Sequence, residues 1–84
     1  MYKVVLTKSA EKELIKIPKA YSNNIVKHLV DLVNNPRPDG CKKLVGLDNI
    51  YRIRVGLYRI VYRIEDEILY IEVIKIGHRK EVYR

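Results

Sequence analysis

The sequence contains neither Phe nor Trp, a single Cys, and no long run of apolar residues. Because Cys41 is the only cysteine, the chain cannot form an internal disulfide. No segment is long and apolar enough to span a bilayer and no signal-peptide pattern opens the chain, so a cytoplasmic protein without a membrane partner is expected. The carboxylates at positions 65–67 have no His or Cys placed to complete a metal site, so neither a metal nor another cofactor is expected.

Acidic residues are also scarce, because 10 Asp and Glu face 17 Lys and Arg, which gives a formal net charge of +7. Such an excess favours an anionic partner. The two basic residue types are segregated: most Lys precede residue 44, whereas nearly all Arg follow residue 51. Arginine presents a planar fork of donors that fits phosphate oxygens, so the C-terminal half is predicted to carry the functional site.

The hydrophobic pattern predicts one α+β domain over residues 1–84, with the element order β-α-α-β-β-β and an antiparallel sheet. After a strand at 2–6, a first helix begins at a cap, Thr7 or Ser9, and ends before Pro18. A second helix over about 20–35 ends at Pro36. Its buried stripe is predicted to contain Tyr21, Ile25, Leu29 and Leu32, widened by Val26 and Val33.

Three strands are predicted in the second half, over about 51–55, 58–64 and 68–76, with a turn at 65–67. Residues 44–47 form either a further short strand or the approach to one. The last strand is apolar on both faces, which places it inside the sheet with helices over one face.

Arginines occupy the polar positions of two of these strands. Side chains alternate along a strand, so Arg52 and Arg54 share one face, as do Arg59 and Arg63. A face that needed only solubility would mix Lys, Glu, Thr and Ser, whereas Arg is the residue that holds phosphates. The pattern therefore predicts an RNA-handling surface, the alternative being a strand face charged for solubility and edge protection.

The residues after the last strand add the other groups that RNA cleavage requires. When the 2′-hydroxyl attacks the neighbouring phosphate, one group takes its proton, another protonates the leaving 5′-oxygen, and cations neutralise the charge on phosphorus. His78 can act as acid or base near neutral pH, and Arg79 can join the phosphate clamp. Tyr83 can stack on a base or donate its hydroxyl. The alternatives are a loop histidine that bonds to backbone and a packed terminal tyrosine.

These motifs, in this order, resemble the RelE/ParE superfamily of bacterial and archaeal toxins. The resemblance covers nearly the whole chain, through the strand and two helices at the start and four later segments: 35–38, 43–55, 58–62 and 76–83. It implies the RelE fold, and for the RelE branch it implies cleavage of messenger RNA in the ribosomal A site under control of a cognate antitoxin. It also implies a metal-independent site, matched here by Arg52, Arg54, Arg59, Arg79 and Tyr83.

Branch members carry Lys where this chain has Arg52 and Arg54. Arginine stays protonated at working pH and is a poor general base, which favours His78 for that role. The resemblance further implies an acidic antitoxin, a ribosome and a message as partners, with the antitoxin forming a hetero-oligomer. Two other functions stay open: a ParE-like, non-catalytic inhibitor of DNA gyrase, and a degenerate toxin that binds antitoxin or RNA without cutting.

A basic stripe on the first helix is a second candidate contact surface. Lys8, Lys12 and Lys16 recur every four residues and therefore share one face. They form either an ordinary solvated helix face or a contact with ribosomal RNA, to which Arg63 is added from the sheet.

Overall fold

The computed structural model describes residues 1–78, so the predicted site residues Arg79 and Tyr83 lie outside the described part. The elements, in chain order, are β1 (Lys3–Leu6), α1 (Lys8–Lys16), α2 (Lys19–Asp31), β2 (Lys42–Lys43), β3 (Ile50–Val55), β4 (Tyr58–Glu65), a 3-10 turn (Asp66–Ile68) and β5 (Tyr70–His78). The predicted α+β class is confirmed. The short additional strand is β2, however, and not residues 44–47.

Local hydrogen bonds mark the start of α1 and the end of α2. The Thr7 hydroxyl oxygen accepts the Ala10 N–H at 3.1 Å, which caps α1. The second helix ends at Asp31, before the predicted end at Asn35. The following turn has hydrogen bonds between residues three apart, such as Asn34 N–H to Asp31 O at 3.3 Å, which are typical of a 3-10 turn. Neither helix is long and apolar enough to cross a membrane within the described residues.

The five strands form one sheet in the order β1-β5-β4-β3-β2. The pairs β2–β3, β3–β4 and β4–β5 are antiparallel, whereas β1 runs parallel to β5. The predicted antiparallel sheet therefore has one parallel pair at its edge. The last strand lies between β1 and β4, as its apolar pattern predicts.

The core lies on one face of this sheet, against the two helices. Its fully buried side chains include Ile25 on α2 and Ile60, Tyr62 and Ile71 on the strands. Part of the predicted helix stripe was wrong, because Tyr21 is 47% exposed and Val26 is 44% exposed. Ile25, Leu29 and Leu32 are buried as predicted.

A β-bulge in β5 decides which of its residues enter the core. Tyr62 of β4 pairs with Val73, but Val61 pairs with Lys75, so Ile74 is the extra residue. The carbonyl of Ile74 accepts a hydrogen bond from the Thr7 hydroxyl at 3.0 Å. Because of this insertion, buried positions before and after the bulge face the helices although their spacing breaks strict alternation.

Candidate functional site

Three of the predicted arginines meet on the sheet face that points away from the helices. Arg54 of β3 pairs with Arg59 of β4, and Arg52 pairs with Val61 on the same face. The hairpin that joins these strands turns at Gly56, whose φ of 60° is one that glycine adopts without strain. Together with Gly40 and Lys42, the three arginines line a cleft of about 270 Å³, the cationic cleft.

The three arginines differ in their exposure to water. Arg59 is only 6% exposed, Arg52 is half-buried and Arg54 is exposed. A charge with little water around it interacts more strongly with an anion, because the effective dielectric constant is lower. The cationic cleft therefore has a strongly interacting guanidinium at Arg59 and a more screened one at Arg54.

Lys42 also lines this cleft, although no sequence pattern predicts it as a site residue. It is paired with Arg52 across β2 and β3, so both side chains lie on the same face. A strand of two residues has no periodicity, and the preceding loop contains prolines and a glycine. The signal that could have found Lys42 is the pairing register, which the sequence does not state.

Arg63, predicted to bind RNA, lies further along the same face and is engaged by carboxylates. Its guanidinium donates to Glu72 on β5, and its Nε lies 3.8 Å from an oxygen of Glu65. Arg63 is therefore paired with acidic side chains of the sheet and lies apart from the arginines of the cationic cleft.

His78 lies on the other face of the sheet, and the structure does not bring it together with the arginines. Gly77 is the partner of Arg59, whereas His78 pairs with Tyr58. The His78 and Tyr58 rings pack edge to face with their centroids 5.9 Å apart. The Tyr58 ring also packs against Tyr21 of α2, at a centroid distance of 5.8 Å. Successive strand residues point to opposite faces, so the strand's extension to His78 puts this imidazole on the helix side.

The lysine stripe is also on the helix side. Lys8, Lys12 and Lys16 are all exposed along α1, as expected for one solvated stripe. Lys16 lines a cleft of about 400 Å³ together with His78 and Tyr58. The stripe and the cationic cleft are thus separate basic surfaces on the described part of the chain.

A cluster around Arg37 fixes the loop that forms one wall of the cationic cleft. Arg37 donates to both carboxylate oxygens of Asp66, at 2.8 and 3.2 Å, and its Nε donates to the Tyr51 hydroxyl at 3.2 Å. The Tyr2 hydroxyl donates to Asp66 at 2.6 Å. Hydrogen bonds from Arg37 and then Tyr2 lower the pKa of Asp66, and the same carboxylate raises the pKa of Arg37.

The same loop has a second anchor at Tyr62. This fully buried side chain donates its hydroxyl to the Pro36 carbonyl at 2.8 Å, and burial raises its pKa. Its ring stacks with Tyr51 at a centroid distance of 6.1 Å. Pro36 and Arg37 are therefore both held, and the following residues lead directly to Gly40.

An apolar cleft of about 320 Å³ lies between β1 and the two helices. Val30 is 61% exposed there and Val26 is 44% exposed. The other lining residues are Val4, Leu6, Leu14, Leu29 and Val33. No group of three or more His, Cys, Asp or Glu side chains gathers to hold a metal ion within residues 1–78.

Both the sequence and the fold are similar to those of known proteins. A family model described as the ParE toxin of the type II toxin–antitoxin system, parDE, matches residues 4–83. Toxin RelG of Mycobacterium tuberculosis is 31% identical over 84 residues, covering 99% of this chain and 97% of the relative. The mRNA interferase toxin RelE of Escherichia coli K12 is 35% identical over 78 residues, covering 88% of this chain and 81% of the relative.

Solved structures agree with these sequence matches. The RelE chain in the archaeal RelE–RelB complex from Pyrococcus horikoshii aligns with a TM-score of 0.85 and 28% identity, covering 95% of this chain and 97% of that one. The isolated E. coli RelE toxin aligns with a TM-score of 0.82 and 32% identity, covering 99% of this chain and 92% of that one. The strand, helices and five-stranded sheet described above are therefore those of the RelE structures.

Proposed function

The chain belongs to the RelE/ParE family of type II toxin–antitoxin toxins, and we propose that it is a ribosome-dependent endoribonuclease that cleaves messenger RNA. The observation that carries this proposal is the cationic cleft, in which Lys42, Arg52, Arg54 and Arg59 converge on one side of the sheet. A relative with 35% identity is named an mRNA interferase, which supports the same activity.

The proposed reaction is metal-independent attack of a 2′-hydroxyl on the adjacent phosphorus. Arg52 and Arg54 hold the phosphate by paired N–H donors, and Arg59 neutralises the negative charge that grows as the new P–O bond forms. Arg79 completes the clamp and Tyr83 stacks on a neighbouring base. His78 has no step in this scheme, because it lies on the opposite face of the sheet.

Binding to the ribosome is proposed to use a different surface from the chemistry. The exposed stripe of Lys8, Lys12 and Lys16 on α1 would contact ribosomal RNA, which is a dense array of phosphates. Arg63 would contribute less, since Glu72 and Glu65 already compensate its charge. Removing Lys8 and Lys12 together is expected to weaken ribosome binding and to flatten its dependence on salt.

We also propose that an acidic antitoxin holds the protein inactive in a hetero-oligomer. Structural neighbours were solved as RelE–RelB complexes. This chain offers carboxylates of such a partner the cationic cleft, and offers its apolar side chains the groove between β1 and the helices. Absence of a complex at low salt between the two co-expressed proteins would contradict the toxin assignment.

Inhibition of DNA gyrase is the second candidate, because the matching family model carries the ParE description. Such an inhibitor would act by binding, so its effect would not depend on arginines positioned around a phosphate. A supercoiling assay with purified gyrase tests it directly.

Primer extension of a message on ribosomes, with and without the protein, tests the proposed function. We expect new 5′ ends within codons at the A site, and their loss when Arg59 is replaced by Ala. Translation arrest without new ends would overturn the nuclease proposal, and inhibited supercoiling in the parallel assay would establish the second candidate.

A further inference from the structure

Cleavage by a 2′-hydroxyl requires a proton donor as well as cations. The 2′-oxygen forms a bond to phosphorus, the bond from phosphorus to the 5′-oxygen breaks, and the electron pair stays on that oxygen. The products are a 2′,3′-cyclic phosphate and a 5′-hydroxyl, so one proton must reach the 5′-oxygen while the 2′-hydroxyl proton passes to solvent. Protonation of a leaving group in the transition state accelerates such reactions substantially.

Guanidinium groups are poor proton donors for this step. Arginine keeps its proton even above pH 12, so Arg52, Arg54 and Arg59 can neutralise charge but release a proton only with difficulty. Lys42 is different, because an ammonium group has three N–H protons on a flexible stem and can give one to a developing alkoxide. Among the described residues that line the cationic cleft, Lys42 is the side chain suited to donate a proton.

The position of Lys42 fits this role. It is paired with Arg52, so the ammonium and the guanidinium extend from neighbouring strands on the same face. It is exposed at the edge of the sheet, where its side chain can follow a substrate without disturbing the core. Gly40 precedes it at the wall of the cleft, on the loop that Arg37 and Tyr62 anchor.

We propose that Lys42 is a catalytic residue that protonates the 5′-oxygen as it leaves, while the arginines hold the phosphate. The inference rests on the proposed nuclease function and deepens it. After cleavage, the neutral amine takes a proton from solvent, so the enzyme returns to its starting state.

The chain supplies a matched control in the adjacent residue. Lys43 is paired with Tyr51, whose ring stacks on buried Tyr62, so Lys43 belongs to the face opposite Lys42. It is exposed like Lys42 and carries the same charge. Substitutions at Lys43 therefore reproduce the change in net charge and in β2 composition outside the cationic cleft.

The test compares two leaving groups in single-turnover cleavage on ribosomes. One message has the normal 5′-oxygen at the scissile phosphate, and the other has a 5′-bridging sulfur, which leaves as a stable thiolate and needs no proton. With oxygen, Lys42→Arg and Lys42→Ala are both expected to lose about 10²-fold or more in rate. With sulfur, both should come within about threefold of the unaltered protein, while Lys43→Arg and Lys43→Ala stay close to it on both messages.

Two results would overturn the assignment of Lys42. A Lys42→Arg variant that cleaves the oxygen message at the normal rate would mean that charge alone suffices. An equal loss on the sulfur message would mean that Lys42 binds or positions the substrate. If the unaltered protein cleaves neither message, the proposed nuclease function fails, and this inference fails with it.

Discussion

Replacing Arg59 with Gln should slow cleavage far more than replacing Arg54 with Gln, although both remove one charge from the cationic cleft. Arg59 is 6% exposed, whereas Arg54 is exposed. Two unit charges 4 Å apart interact by about 4 kcal/mol at an effective dielectric constant of 20 and by about 1 kcal/mol in water. Because about 1.4 kcal/mol corresponds to tenfold in rate, the limits are roughly 10³-fold for Arg59 and about fivefold for Arg54.

The expected range for Arg59→Gln is therefore about 10²–10³-fold, which agrees with the loss of one well-placed donor to an oxyanion in other enzymes. The assay is single-turnover cleavage of a message on ribosomes at saturating toxin. Lys75→Gln is the control, since Lys75 is exposed on the same face outside the cleft, and its rate should change by less than about twofold. Thermal unfolding of each variant checks that the fold is intact. Equal losses for Arg59 and Arg54 would refute the argument from burial.

Three further predictions concern stability and the histidine. Tyr62→Phe should lower the free energy of unfolding by about 1–2 kcal/mol in urea titration, because the Pro36 carbonyl loses its donor; an unchanged midpoint would contradict this. The folded state lowers the pKa of Asp66 below 3.8, so its contribution to stability is present above that pH and is lost in stronger acid. Asp66→Asn should therefore lower the melting temperature at pH 7, and the difference should shrink below pH 3.8; a constant difference would argue against the pair with Arg37. His78→Gln should change the cleavage rate by less than about threefold and leave its pH profile unchanged, whereas a loss of 10²-fold would restore His78 to the chemistry.

The fold was predictable from sequence to the extent that local periodicity and local breakers determine it. Pro18 separates the two helices, and the alternating pattern around Gly56 gives the central hairpin. The parallel pairing of β1 with β5 joins segments more than 60 residues apart, and no local pattern encodes it. The exposure of Tyr21 was missed for a related reason, since its contact with Tyr58 depends on how α2 sits on the sheet.

The candidate site was predictable where it depends on alternation within one hairpin. Arg52, Arg54 and Arg59 come together because a two-residue turn fixes their register. Lys42 and the pairing of Arg63 with Glu72 depend on registers between other strands, which the sequence leaves undetermined. Arg79 and Tyr83 lie outside the described residues, so their roles stay predictions.

The position of His78 follows from the alternation of side chains along β5, but the predicted strand was two residues too short to include it. The sequence pattern predicts a strand that ends at Ile76, which would leave His78 in a loop that can reach the arginines. The structure continues β5 to His78, and Ile76 is fully buried on the helix side. A residue two positions along a continuing strand shares the same face, so the parity of Ile76 assigns His78 to the helix side.

The bulge at Ile74 connects core packing to the geometry of the cationic cleft. With uninterrupted pairing beyond Val73, Ile60 would face Lys75, which would bring an ammonium group into the core, where an unpaired charge is costly. The extra residue shifts the register by one, so Lys75 stays in water and Arg59 meets Gly77 instead of Ile76. Glycine has no side chain, so this position of β5 adds no side-chain atoms beside the Arg59 guanidinium. The same insertion that keeps a charge out of the core therefore places a residue without a side chain opposite Arg59.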